Sequence, residues 1–157
     1  MKEITVAKAI PSDAIKIGKI AWQVARTHFH QTEKEFKKPT LVSQTGYISK
    51  SINDKDILVL KAQMDNEIVG YVVVYFNTYP VKYFQFNKRA FIGSIGVDEN
   101  HQRQGVGKAL LKGVEEAIKK RKISVVEIDY YTFNKAAENL YKSVGYQEKK
   151  CYLYKFV

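Results

Sequence analysis

Residues 92–111 read Ile92-Gly93-Ser94-Ile95-Gly96-Val97-Asp98-Glu99-Asn100-His101-Gln102-Arg103-Gln104-Gly105-Val106-Gly107-Lys108-Ala109-Leu110-Leu111. An apolar strand runs into a basic, glycine-containing turn and then into an amphipathic helix. A helix N-terminus presents unpaired amide N–H groups and the positive end of the helix dipole, so this junction suits a phosphate. Gly105 and Gly107 lack a Cβ, which lets an anion approach the backbone. Arg103 and Lys108 add charge at the edge, and Gln102 can steady the turn. Two common phosphate loops do not fit. A P-loop needs four residues between its glycines and a Gly-Lys-Ser/Thr ending, whereas Gly107-Lys108 is followed by Ala109. A dinucleotide fingerprint needs a third glycine three positions after Gly107, where Leu110 stands. Taken alone, the motif also reads as a plain capped helix whose glycines only shape the turn.

Outward from this junction the hydrophobic pattern predicts alternating elements. Ile4, Val6 and Lys8 begin an extended segment that ends at Pro11, and Ser12 or Asp13 caps a helix from Ala14 to about His30, with Ile17, Ile20, Ala21 and Val24 on its inner face. Gln31–Thr40 reads as a loop. A second helix follows over Leu41–Ile52, with Leu41, Ile48 and Ile52 turned inward. Ile57–Gln63 and Ile68–Phe76 flank the turn Met64-Asp65-Asn66-Glu67 as a hairpin. After the loop Asn77–Lys88 come a strand at Phe91–Val97 and a helix from about Gly105, with Val106, Leu110, Val114, Ala117 and Ile118 inward. Val125–Tyr131 reads as a strand, Lys135–Val144 as a helix, and Tyr146–Phe156 as a C-terminal strand pair or one bent strand. This order predicts an α/β (α+β) fold, a mixed sheet covered by helices, in a single domain over residues 1–157.

Composition narrows the function classes. The 157 residues are 45% hydrophobic and 27% charged, ordinary for one soluble globular domain. No run approaches the roughly 18 apolar residues of a membrane span, and the N-terminus lacks a signal peptide's apolar core. Cys151 is the one cysteine and cannot form an internal disulfide, which suggests a reducing cytoplasm. Cys151 and three scattered histidines offer no metal-site spacing. The formal charge of +10 comes from lysines spread along the chain, without a nucleic-acid-binding signature, so it reads first as a solvated surface.

Gln102-Arg103-Gln104-Gly105-Val106-Gly107 matches the Gln/Arg-x-x-Gly-x-Gly/Ala signature of the GNAT superfamily of N-acetyltransferases at every defined position. Downstream, Asn134-Lys135-Ala136-Ala137-Glu138-Asn139-Leu140-Tyr141-Lys142-Ser143-Val144-Gly145-Tyr146 resembles the family's Asn-x-x-Ala-x-x-x-Tyr-x-x-x-Gly-Phe helix, departing only in Tyr146 for Phe. The earlier half of the chain matches by element order alone. The resemblance implies the GNAT fold, with a mostly antiparallel central sheet flanked by helices. It also implies acetyl transfer from acetyl-CoA to a primary amine by direct attack, with coenzyme A as product and no metal.

Residue roles follow from the same resemblance. Backbone groups of Ile95 and Val97 would pair with the pantetheine arm like an added strand. Amides of Gln102, Arg103, Gln104, Gly105, Val106, Gly107 and Lys108 would bind the pyrophosphate. Asn134 would hydrogen-bond the arm or a bound water, or cap its own helix, or do both. Tyr141 matches the family's tyrosine near the coenzyme A sulfur and is the candidate acid, with a core tyrosine as the competing reading. Residues 89–97 carry no carboxylate, so the candidate base is Asp129, twelve positions before the tyrosine, where enzymes resembling the ribosomal-protein acetyltransferases place a Glu. Side-chain alternation puts Asp129 on one strand face with Glu127 and Tyr131, and Glu127 is the fallback base. A structural carboxylate is the other reading of Asp129.

The acceptor is less legible. Trp22, His28, Phe29, His30, Tyr75, Tyr79, Tyr83 and Phe84 fall in segments that shape the acceptor site in this family, although most aromatics are core and the histidines read as surface residues. Glu33 and Glu35 could attract a cationic amine. Peptide and small amines both remain open. The rival reading is a non-catalytic acyl-CoA-binding or interaction module, and a nucleic-acid binder stands third. An edge strand at Cys151–Phe156 could pair across a homodimer.

Overall fold

A computed structural model describes residues 3–79 and 85–157, so Tyr83 and Phe84 lie outside the described residues. The elements are β1 (Thr5–Lys8), α1 (Ala14–Thr32), α2 (Leu41–Asn53), β2 (Ile57–Met64), β3 (Glu67–Thr78), β4 (Lys88–Val97), α3 (Val106–Lys120), β5 (Val126–Ile128) and α4 (Lys135–Ser143). The strands form one sheet in the order β1-β2-β3-β4-β5. The first four pair antiparallel and β5 lies parallel to β4, joined to it through α3. This is the mixed, mostly antiparallel α/β sheet flanked by helices that the sequence predicts.

Alternation along β2 and β3 sends side chains to two cores. Leu58, Leu60, Val72 and Val74 meet Leu110, Leu111 and Val114 of α3 on one face, while Val59, Tyr71 and Val73 meet Ile17 and Ile20 of α1 and Ile48 of α2 on the other. Burying each such aliphatic side chain is worth about 1.5–3 kcal/mol, which makes the α3 stripe the main anchor of the phosphate-suited turn. Asp65 (φ 48°) and Asn66 (φ 65°) make the β2–β3 connection a type I′ turn, which sets the hairpin register.

Several expectations need correction. The cap ahead of α1 points backwards: Asp13 Oδ2 accepts the Ile10 N–H at 2.8 Å and pairs with Lys61 Nζ at 2.9 Å, bracing β2 rather than holding the α1 amides. Leu41 is exposed at the start of α2, whose cap is a reciprocal pair of bonds between Thr40 and Ser43. No strand forms after Tyr146; residues 147–157 lie exposed without sheet pairing. Period-two alternation needs a partner edge to become a strand, and the three-residue β5 offers little of one.

β5 itself is shorter than the predicted Val125–Tyr131 because its ladder with β4 stops at Ile92↔Ile128. Val73 pairs Ser94 while Val74 pairs Ile92, so Gly93 is the extra residue of a bulge. A Cβ at Gly93 would run into the Tyr75 ring. The bulge bends β4 and exchanges its faces, so Ile92 and Ile95 both pack toward α3. Beyond it, no strand among the described residues pairs with residues 93–97 on their β5 side. That open half-strand positions the site.

Candidate active-site cleft

A cleft of about 1040 Å3 opens where β4 and β5 part. That is the upper end of ligand-pocket sizes, with room for a long ligand. One wall is the open half of β4, including Ile95 and Val97, and another is the turn into α3.

The turn is built for anions. Arg103 (φ 61°) and Gly105 (φ 89°) both adopt the left-handed region, on either side of Gln104, which does not. Such alternation makes successive backbone N–H groups converge into an anion-binding nest. Gly105 tolerates this conformation because it has no Cβ. Gly105 at the N-cap offers no side chain to cap α3, so the first amides of the helix can serve a ligand. The turn is tied to α1: Gln23 Nε2 donates to Asp98 Oδ2 at 3.2 Å, Gln23 Oε1 accepts the Glu99 N–H at 3.3 Å, and Arg26 pairs with Glu99 at 3.0 Å.

Gln102, Arg103, Gly105, Val106, Gly107 and Lys108 all line the cleft. The Gln104 side chain does not, because it donates to the Asn100 carbonyl at 3.3 Å instead. Gly107 is small for a reason beyond anion approach: a Cβ there would come within 2.8 Å of Leu140 Cδ2, so the glycine lets α4 pack against α3.

α4 delivers two further predicted residues. Asn134 caps it, accepting the Ala137 N–H on Oδ1 at 3.0 Å, while its Nδ2 lies 3.0 Å from His28 Nε2. Tyr141 is buried against Tyr130 and Tyr146 yet reaches the cleft wall. Burial, with smaller contributions from Tyr146 and Asp129, pushes its phenol up to about 12. It therefore stays protonated at neutral pH and is a hydrogen-bond donor there.

The carboxylates separate. β5 ends at Ile128, so strand alternation stops and both Ile128 and Asp129 line the cleft, while Glu127 does not. Glu127 is held by Arg89 at 2.8 Å and by Lys149. Burial alone would push its carboxyl up, but the hydrogen bonds and positive charges of Lys149 and Arg89 together outweigh it and hold it below the usual carboxylate range. Glu127 is thus a structural ion pair. Asp129 is exposed at the mouth of the cleft, with no ion pair to a described residue.

Two cleft residues were not singled out for chemistry by the sequence reading. Ser94 lies opposite Tyr71, hydroxyl to hydroxyl at 2.7 Å. His28 sits in the wall with its ring against Tyr131 and Phe133. The signal for His28 was a stripe: Gln23, Val24, Thr27, His28 and Gln31 recur at helical spacing and all face the cleft. Of the other acceptor candidates, Phe29 lines a neighbouring cavity. Trp22 stacks under Arg26, His30 is exposed near Glu33, Tyr75 bonds Tyr47, and Tyr79 lies under Arg89.

An open half-strand, a helix N-terminus without a side-chain cap and a buried tyrosine thus share one cleft, an arrangement able to take an extended, phosphate-bearing ligand. The profile of the acetyltransferase (GNAT) family matches residues 21–146, and the chain belongs to that family. It is 37% identical over 59 residues to the [ribosomal protein bS18]-alanine N-acetyltransferase of Escherichia coli (strain K12). That stretch spans 38% of this chain and 40% of the relative's length. Among solved structures, a mutant BH1408 protein from Bacillus halodurans superposes with a TM-score of 0.89 at 20% identity, over 98% of this chain and 99% of that one. The aminoglycoside N-acetyltransferase AAC(6')-Iy in complex with CoA gives 0.80 at 11% identity, over 100% and 96%.

Proposed function

We propose that this protein transfers the acetyl group of acetyl-CoA to the primary amine of an acceptor by direct attack. The observation that carries this reading is the cleft itself, where the unpaired half of β4, the nest at residues 103–105 and Tyr141 face one space. Backbone groups of Ile95 and Val97 hold the pantetheine arm as a strand would, and the α3 amides with Arg103 and Lys108 hold the pyrophosphate. When bound, acetyl-CoA supplies the thioester carbon that the amine attacks. Asp129 takes the amine's proton, through a water because its side chain is short, and Tyr141 donates a hydrogen bond toward the sulfur. The similarity to a ribosomal-protein-alanine acetyltransferase supports a peptide α-amine as acceptor.

The test is acetyl transfer from acetyl-CoA to a panel of free-N-terminus peptides and small amines, read by mass spectrometry. Acetylated product from at least one amine, lost on heat denaturation, is expected. Binding of acetyl-CoA with no product from any amine would favour a non-catalytic acyl-CoA-binding module.

A further inference from the structure

The proton on His28 is placed by a helix cap. Asn134 Oδ1 is committed to the Ala137 N–H, so the amide atom facing His28 Nε2 is Nδ2. An amide nitrogen only donates, so Nε2 must accept, and the ring carries its proton on Nδ1. A second proton on Nε2 would set two N–H groups against each other. Burial also pulls the His28 imidazole below its ordinary range, again favouring the neutral ring. Nδ1–H makes no hydrogen bond to a described residue.

His28 and Tyr131 are shared by the cleft and a second cavity of about 430 Å3. That cavity lies between the end of α1 and the start of α2. Lys37 and Lys38 are on its wall; among the described residues no carboxylate lines it, and the main negative charge acting on Tyr131 of that wall is Glu35, which adds to burial in pushing up its phenol. Tyr131 and Phe133 stack at 5.1 Å and flank the imidazole at 5.9 Å each, fixing the ring at the junction.

A locked Nδ1–H cannot be the base, because its partner nitrogen is occupied. Nor can it serve the attacking amine, whose lone pair must stay free. It can hold an oxygen. We propose that His28 is a specificity residue whose Nδ1–H binds the carbonyl oxygen next to the acceptor amine, and that the Lys37–Lys38 cavity receives an acidic side chain beyond it. The acceptor is then the N-terminal residue of an acidic peptide. A polyamine or an aminoglycoside presents cations to two ammonium groups and places no carbonyl beside its amine. This inference rests on the acetyl-transfer reading.

The test compares kcat/KM for Ala-Asp-Glu-Ala-Gly amide, Ala-Lys-Lys-Ala-Gly amide, isopropylamine and spermidine, with acetyl-CoA as donor. The acidic peptide is expected to exceed the basic one by about tenfold, the worth of one charge-assisted contact, and to exceed both simple amines by more. His28→Phe should raise KM for the acidic peptide about tenfold and so narrow its lead over isopropylamine. Lys37→Glu with Lys38→Glu should reverse the order of the two peptides. Nitrogen NMR of the His28 ring should show a protonated Nδ1 and a bare Nε2. Asn134→Asp preserves a cap and should move that proton to Nε2. An Nε2-protonated ring in the unaltered protein would overturn the inference. So would spermidine or isopropylamine matching the acidic peptide, with acetyl transfer itself intact. No transfer to any amine by protein that binds acetyl-CoA would overturn this inference and the proposed function together.

Discussion

Tyr141→Phe is expected to lower kcat for acetyl transfer on the order of a hundredfold while weakening acetyl-CoA binding far less. Burial holds the phenol at about 12, above an ordinary thiol near 8.5. It is therefore the weaker acid, and in the proposed reaction it would stabilise the departing sulfur as a hydrogen-bond donor rather than by surrendering its proton outright. That places the loss at the lower end of the range for acid–base groups, roughly 10²–10⁴. The pH profile separates this role from an ordinary tyrosine's. A phenol titrating near 10 would cost activity from about pH 9 upward. With the group at about 12, the rate should show no alkaline fall from Tyr141 through pH about 10. Turnover of Tyr141→Phe within about twofold of the unaltered protein would reduce Tyr141 to its packing against Tyr130 and Tyr146.

The second large effect is expected at Gly107. Any side chain there meets Leu140, so Gly107→Ala measures the steric cost of opening the α3–α4 contact. Gly107→Glu adds a negative charge in the first turn of α3, beside the proposed pyrophosphate position. Two unit charges about 4 Å apart at an effective dielectric near 20 repel by about 4 kcal/mol. Acetyl-CoA affinity should therefore fall at least about a hundredfold for Glu and only a few-fold for Ala, read by calorimetry on variants whose circular dichroism is unchanged. Equal losses for the two would make the effect one of helix packing.

The fold was legible where physics is local. Ile17, Ile20 and Val24 on α1, and Val106, Leu110 and Val114 on α3, declare their helices by spacing, and Asp65-Asn66 declares a hairpin. What depends on a partner was not. Alternation in residues 146–156 suggests a strand, yet no sheet edge among the described residues pairs with it. The Gly93 bulge, beside which the β4–β5 ladder ends, has no room for a Cβ because the Tyr75 ring lies over it from across the sheet.

The same division holds in the cleft. Gln102–Lys108 and Tyr141 stand in ordered motifs, and the structure brings them to one cavity, Gln104's side chain apart. The fate of the carboxylates required tertiary contacts: only the Arg89 and Lys149 partnerships show that Glu127 is committed to a structural pair. His28 falls among the acceptor-site candidates by its segment, but its bond to the cap of α4 spans 106 positions and no local pattern shows it.

The most direct test of the central claim is amide hydrogen exchange with and without acetyl-CoA. Added protection is expected to concentrate in residues 93–97 of β4 and 102–108 at the start of α3. Binding that protects neither segment, or protects the β1–β2 edge instead, would contradict that claim.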